Sequence, residues 1–247
     1  MKTTNNTVLI TGGSAGIGLE LAKQFEAAGN KVIITGRDAA RLKKATDQFP
    51  GVTGIVSDVT RTADVDKLVA QLQAEFPGLN VVINNAGRAF VHDLALAEGT
   101  YDKAAEEIET NYLSVIRLNE KLIPILREQS EAAIVDVSSI VAYTPNHIIA
   151  TYSATKAALH SYTVSLRHAL SKNSSIKVFE LMPPLVNTEF SHDIGGAERG
   201  IPPSVVAADL LTAFEQDSYE VRVGDTAYIY ELSRTSPDDA FAVLNPA

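Results

Sequence analysis

The chain has 247 residues, 45% of them apolar and 21% charged, enough for a large buried core and ordinary for a globular protein, which excludes wholesale disorder and fibrous architectures. Against 21 Lys and Arg stand 30 Asp and Glu, a net charge of −9 with no basic run, a balance that repels nucleic-acid backbones and anionic lipids. Cysteine is absent, which removes disulfides, thiol catalysis and cysteine-held zinc and fits a reducing cytoplasm.

Met1–Thr7 is polar and carries no apolar targeting segment. The first predicted strand, Val8–Ile10, runs straight into Thr11-Gly12-Gly13-Ser14-Ala15-Gly16-Ile17-Gly18 and then a helical pattern over Ile17–Ala28, stopped by Gly29-Asn30. A dinucleotide needs its pyrophosphate against a helix N-terminus, where free N–H groups and the dipole favour negative charge. Glycines at the turn keep side chains out of that approach. The loop Gly12, Ser14, Gly16, Ile17 and Gly18 is therefore a candidate phosphate cradle, although its Gly-x-x-x-Gly-x-Gly spacing differs from the commoner fingerprint.

The second strand, Lys31–Thr35, ends in Gly36-Arg37-Asp38. An acid at the strand end would hold a ribose 2′-hydroxyl and select NAD. Arg37 can instead grip a 2′-phosphate with two hydrogen bonds, which favours NADP, with NAD as the other possibility. Asp38 is placed to N-cap a helix over Ala39–Phe49. The third strand, Thr53–Ser57, leads into Asp58-Val59, where a carboxylate can accept from an adenine amino group or simply form an Asx turn. A helix over Ala63–Phe76 follows and ends at Pro77-Gly78. The fourth strand, Val81–Asn84, is followed by Asn85-Ala86-Gly87, small residues that leave backbone free and two Asn side chains able to tie strand ends together.

A long helix is predicted over Tyr101–Glu128, then a fifth strand, Ala133–Ser138. Ser139 falls at the C-terminal end of that strand, where open α/β sheets bind ligands. The uncharged run Val137–Thr155 is long enough to span a bilayer, but Ser138, Ser139, Thr144, Asn146 and Ser153 argue against lipid. The next helix, Thr151–Lys172, carries Tyr152-Ser153-Ala154-Thr155-Lys156. Its i, i+4 spacing puts Tyr152 and Lys156 on one face. A phenol with a pKa of about 10 is a poor acid/base at neutral pH, and a nearby ammonium lowers it. After the sixth strand, Ile176–Met182, the Gly- and Pro-rich stretch 186–203 reads as a substrate loop or lid. Ser204–Gln216 reads as a helix and Val221–Val223 as an edge strand. Thr226–Thr235 and Ser236–Leu244 read as short helices, the second opened by Ser236-Pro237-Asp238-Asp239. Apolar strands alternating with helices predict an α/β fold: a single doubly wound parallel sheet of about seven strands flanked by helices, one domain over 1–247.

In sequence order, Thr-Gly-x-x-x-Gly-x-Gly at 11–18, Asp58, Asn84-Asn85-Ala86-Gly87, Asn111, Ser139, Tyr-x-x-x-Lys at 152–156, and Pro183 with Thr188 resemble the short-chain dehydrogenase/reductase family over nearly the full chain. The resemblance implies a Rossmann fold and an oxidoreductase that moves hydride between NADP(H), or NAD, and a carbonyl/alcohol substrate. It implies Tyr152 as general acid/base, Ser139 orienting the substrate oxygen, and Lys156 on the nicotinamide ribose. Asn111 would position a relay water, and Val186 and Thr188 would serve the carboxamide and pyrophosphate. It also implies a homodimer or homotetramer. Pro184 stands where the family usually has Gly; proline removes an N–H. This Pro-Pro variant resembles a bacterial subgroup named after teichoic-acid D-alanylation. The alternative reading is an NADP-binding sensor or scaffold without turnover. The substrate pocket is expected from 87–93, 140–150 and 186–203, with Phe90, Tyr143, His147, Phe190 and His192 as walls. No metal site, nucleic-acid partner or membrane partner is expected.

Overall fold

Valine and isoleucine dominate the strands because both faces of the sheet are covered by helices. The computed structural model describes residues 1–96 and 98–246. Strands β1 (Thr7–Ile10), β2 (Lys31–Gly36), β3 (Val52–Val56), β4 (Leu79–Asn84), β5 (Ala132–Val137), β6 (Ile176–Met182) and β7 (Glu220–Arg222) form one seven-stranded sheet in the order β3-β2-β1-β4-β5-β6-β7. Every neighbouring pair is parallel. The helices are α1 (Gly16–Ala27), α2 (Ala39–Thr46), α3 (Thr62–Glu75), α4 (Thr100–Ile108), α5 (Ser114–Arg127), α6 (Ala150–Ser171), α7 (Gly196–Arg199), α8 (Pro203–Gln216), α9 (Thr226–Thr235) and α10 (Pro237–Leu244). This is the doubly wound Rossmann arrangement that the strand–helix alternation predicts.

The period of two in each strand sorts side chains into two cores. Val8, Ile10, Val32, Ile34, Val81, Ile83 and Val135 pack toward Leu21 and Phe25 of α1 and Leu210 and Phe214 of α8. Leu9, Ile33, Val82, Ile134 and Val178 pack toward Leu68 and Leu72 of α3 and Leu118 and Leu122 of α5 on the other face. The chain reverses its winding between β1 and β4, and the site opens at the C-terminal ends of these central strands.

Several elements differ from the sequence expectation: β3 (Val52–Val56) lies one residue earlier than expected, β4 starts at Leu79 and α2 ends at Thr46. The helix expected over Tyr101–Glu128 is two helices, α4 and α5, joined by a π-helical turn at Glu109–Leu113. A π turn admits an extra residue without breaking the apolar period strongly enough to show in sequence. The edge strand is Glu220–Arg222, one residue earlier than expected. Ser236 opens α10, but its hydroxyl donates to the Asp239 carboxylate at 2.6 Å rather than capping a backbone N–H.

Candidate active site

The glycine loop is shaped by contacts that leave no room for side chains. Gly12 has φ +65°, and a Cβ there would lie 2.9 Å from Ala86 Cα. A Cβ on Gly18 would lie 2.5 Å from both the Gly12 carbonyl oxygen and Asn85 Nδ2. Thr11 and Asn85 lock this loop to the end of β4. The Asn85 and Ala86 N–H groups each donate to Thr11 Oγ1 at 3.0 Å, and Asn85 Nδ2 donates to the Thr11 carbonyl at 2.9 Å. Helix α1 then starts at Gly16 behind Ala15, which as N-cap offers no side-chain hydrogen bond, so its first-turn N–H groups are left uncapped beside the cleft. A bare glycine cradle before an uncapped helix fits a dinucleotide pyrophosphate.

The cleft above this cradle is about 480 Å³ and extends along the strand ends, past Arg37, Arg41 and Asp58, to Tyr152 and Lys156. Arg37 is exposed at the end of β2. Asp38 caps α2 as expected, accepting from the Ala40 and Arg41 N–H groups at 2.9 and 3.0 Å. Asp58 Oδ1 accepts from the Thr60 N–H at 3.0 Å and its hydroxyl at 2.7 Å, an Asx turn formed at the cleft wall. The hydroxyls of Thr35 and Ser57, both lining this cleft, are buried without a hydrogen-bond partner.

At the other end of the cleft, Tyr152 and Lys156 share a face of α6, with the ammonium 5.5 Å from the phenol ring centroid. Both are buried. Lys156 Nζ donates to the Val137 carbonyl at 2.7 Å, which ties α6 to the end of β5. Ser139 follows β5, and its oxygen accepts from the Val141 N–H at 3.3 Å. A second cavity of about 500 Å³ opens beyond Tyr152, with Ser139 in its wall. Ile17, Tyr152, Pro183, Thr188 and Phe190 line both spaces, so the phenol stands at their junction. The Phe190 ring lies 5.9 Å from the Tyr152 ring.

Two buried acids lie behind the site. Asp136 and Glu180 are register partners on β5 and β6, and both are fully buried. Asn84 Nδ2 and Thr163 Oγ1 each donate to Asp136 at 2.8 Å. Ser138 Oγ donates to Glu180 at 2.5 Å, and His160 Nδ1 lies 2.8 Å from its other oxygen. Burial pushes Asp136 up to about 6 against the Asn84 and Thr163 hydrogen bonds, with Glu180 adding to the rise. Burial draws Lys156 down to about 8, while Asp136 and Glu180 hold it up. The hydrogen bond to Glu180 raises His160. Burial pushes the Tyr152 phenol well above its usual range; Ser139 opposes that as a hydrogen-bond partner, and Glu107 adds to it. Lys156 is not among these influences: the lowering of Tyr152 expected from the Tyr–Lys spacing does not arise in this structure, and burial raises the phenol instead.

The family model for short chain dehydrogenase matches residues 6–199. The chain belongs to the short-chain dehydrogenase family. An uncharacterised oxidoreductase, DltE, of Bacillus subtilis strain 168 is 39% identical over 99% of this chain and 98% of that protein. A short-chain dehydrogenase/reductase from Burkholderia phymatum in complex with NAD superposes with a TM-score of 0.89 at 20% identity, over 100% of this chain and 98% of that one. One from Burkholderia cenocepacia in complex with NADP gives 0.87 at 24% identity, over 99% of each chain. This short-chain dehydrogenase is therefore an oxidoreductase, and among its described residues no helix is long and apolar enough to cross a membrane.

Most site residues marked in the sequence of this dehydrogenase line the first cleft: Gly12, Ser14, Gly16, Ile17, Arg37, Asp58, Val59, Asn85, Ala86, Gly87, Tyr152, Lys156, Pro183 and Thr188. Gly18 packs beneath it. Ser139 and Val186 line the second cavity instead. Asn111 is buried one layer behind. Its Oδ1 accepts from the Arg88 N–H at 2.8 Å, and its Nδ2 donates to the Arg88 carbonyl at 2.8 Å and Thr155 Oγ1 at 2.9 Å. Of the expected pocket walls, Phe190 is in place. Phe90, His147 and His192 line neither space. Tyr143 packs against His160 and Tyr230. Stretch 186–203 is two short helical turns, Glu189–Ile194 and α7, braced where Val186 bridges Ile201.

Sequence reasoning missed three groups. Arg41, one turn along from Arg37, lines the cleft and pairs with Glu189 at 2.7 Å across its mouth. Asp136 and Glu180 were signalled only by acids inside apolar strands. The C-terminal segment, which reads in sequence only as an edge strand and two short helices, supplies Tyr228, Ile229, Val243 and Leu244 to the second cavity.

Proposed function

We propose that this enzyme uses NADPH to reduce a carbonyl compound, or NADP to oxidise the matching alcohol, with Tyr152 moving the proton. The observation that carries the reading is the place of the Tyr152 phenol, at the junction of a glycine-lined dinucleotide cleft and a second cavity with Ser139 in its wall. The glycine-loop N–H groups and Thr188 would hold the pyrophosphate, and Arg37 the 2′-phosphate. The bound cofactor supplies the hydride.

The protein supplies position and the proton. A phenol is protonated at neutral pH without burial, and the alkoxide that hydride transfer generates is a stronger base than the phenolate, so Tyr152 can still donate although burial makes it a weaker acid. Ser139 would donate to the same substrate oxygen and orient it. Lys156, still largely an ammonium at pH 7, would bind ribose hydroxyls. Asn111 Oδ1 and Lys156 Nζ flank Gly87, 3.5 and 4.0 Å from where its Cβ would be. A water bound there would join them and return protons toward Tyr152. The reading takes the chain as one functional unit in the cytoplasm. It pairs copies through the α4–α5 and α6 faces, where Leu113 and Val164 are exposed.

The test is oxidation of NADPH against a panel of ketones and aldehydes, with NADH in parallel. Turnover with NADPH favoured at least tenfold is expected. Tight NADPH binding without turnover on any member would favour the sensor reading, and preference for NADH would overturn the role of Arg37.

A further inference from the structure

Resting on that reading, we propose that the substrate is an uncharged carbonyl compound with an extended apolar body, seated in the second cavity with its oxygen at Tyr152 and Ser139. The cavity is about 500 Å³, and Ile140, Val141, Ile149, Leu185, Ile229 and Leu244 supply much of its wall. A space of this size takes a ligand much larger than a two- or three-carbon carbonyl. Tyr152 lines both this cavity and the dinucleotide cleft, with Ser139 in the cavity wall beside it, and a carbonyl must lie at that boundary to react.

Two of the other polar side chains in the wall, Asn146 and Ser191, are already committed, while Tyr228 stands exposed at the opening. Asn146 Nδ2 donates to the Leu244 carbonyl at 2.7 Å, and its Oδ1 accepts from the Ile148 N–H at 3.1 Å. The Ser191 hydroxyl donates to the Val186 carbonyl. A sugar or polyol would lose hydration here without finding partners. The charged side chains of the lining are Arg199 and Asp225, both exposed. Arg199 Nη2 is turned to the Ile194 carbonyl at 3.1 Å. A carboxylate or phosphate carried into the cavity would therefore meet no buried cation.

The apolar wall is built in place. His147 N–H donates to Asn245 Oδ1 at 2.7 Å, and Asn245 Nδ2 donates to the Pro145 carbonyl at 3.0 Å. These bonds clasp the end of α10 to the loop before α6. Tyr228, Val243 and Phe190 stand exposed around the opening, 59%, 50% and 50% accessible. An apolar ligand covering them accounts for large side chains left in water.

The experiment is kcat/KM with NADPH for the 2-alkanones from butanone to decanone, beside ω-carboxylate ketones of matching length. Equilibrium binding of the same ketones is measured by calorimetry. We expect kcat/KM to climb about fourfold per methylene until the cavity is filled, and the carboxylates to be used at least a hundredfold less well. Turnover that is flat with chain length, or equal for the carboxylates, overturns this inference and leaves the reductase reading standing. Binding that strengthens with chain length while no ketone is reduced supports the cavity assignment and overturns the reductase reading. Absence of both binding and turnover overturns both.

Discussion

Replacing Gly18 with alanine tests whether the cradle is built by close approach. The added Cβ would lie 2.5 Å from the Gly12 carbonyl oxygen, 2.5 Å from Asn85 Nδ2 and 3.0 Å from the Gly12 carbonyl carbon. Relief to ordinary contact needs a shift of about 1 Å. Two of the obstructing atoms are backbone of the phosphate loop, and the third is a side chain already bonded to Thr11 and Gly12. Overpacking of this kind costs about 1–3 kcal/mol. The better helix propensity of alanine returns up to about 1 kcal/mol. After that return a loss of about 0–2 kcal/mol remains, which lowers the Tm by up to roughly 8 °C for a chain of this size. The loop displacement should also weaken NADPH by at least tenfold, because its N–H groups would no longer converge on the pyrophosphate. Differential scanning calorimetry and fluorescence titration with NADPH read the two effects. Gly29→Ala is the control: nothing lies within 4 Å of its Cβ position, although its φ is +81°. It should lose stability through backbone strain and keep its NADPH affinity. Wild-type Tm and affinity in Gly18→Ala would refute the close-approach argument.

Three further outcomes follow from the site. Lys156, drawn down to about 8, carries its ammonium below that pH and loses it above; kcat/KM for NADPH, which reports the free enzyme, should therefore fall above pH 8, and a profile flat to pH 9.5 would contradict it. Arg37→Ala removes a charged donor worth about 1.5–3 kcal/mol, so KM for NADPH should rise tenfold or more with NADH little affected, as steady-state kinetics will show. Asp38→Ala strips the cap that accepts from the Ala40 and Arg41 N–H groups and should cost about 1 kcal/mol, seen as a lower Tm; an unchanged Tm would mean the cap does not stabilise α2.

The parts of this molecule legible in its sequence are those with a local physical rule. Strands β1, β2, β4, β5 and β6 show themselves as Val/Ile runs because both sheet faces are buried. Asp38 reads as a cap, and it is one. Gly12 and Gly18 mark places where backbone passes backbone, so their residue type alone points to the cradle. Tyr152 and Lys156 are joined by helix periodicity. The illegible parts depend on elements distant in sequence. The π turn at Glu109–Leu113 keeps an apolar period close to that of an α-helix, so the sequence reads as one helix. Arg41 faces the cleft and meets Glu189, 148 residues away. Asp136 and Glu180 interact only because β5 and β6 are neighbours. The second cavity needs α9 and α10 to return beside α6, and nothing within Glu220–Pro246 announces that docking. The Tyr152 pKa shows the same limit: spacing reveals the nearby ammonium, but the burial that raises the phenol comes from packing.

In the proposed function, Tyr152 delivers the proton at the meeting of the two cavities. Its most direct test is kcat for NADPH-dependent ketone reduction by Tyr152→Phe, with the NADPH dissociation constant measured on the same protein. We expect a loss of at least a hundredfold in kcat with NADPH affinity within twofold of wild type. Turnover within a few-fold of wild type would contradict it.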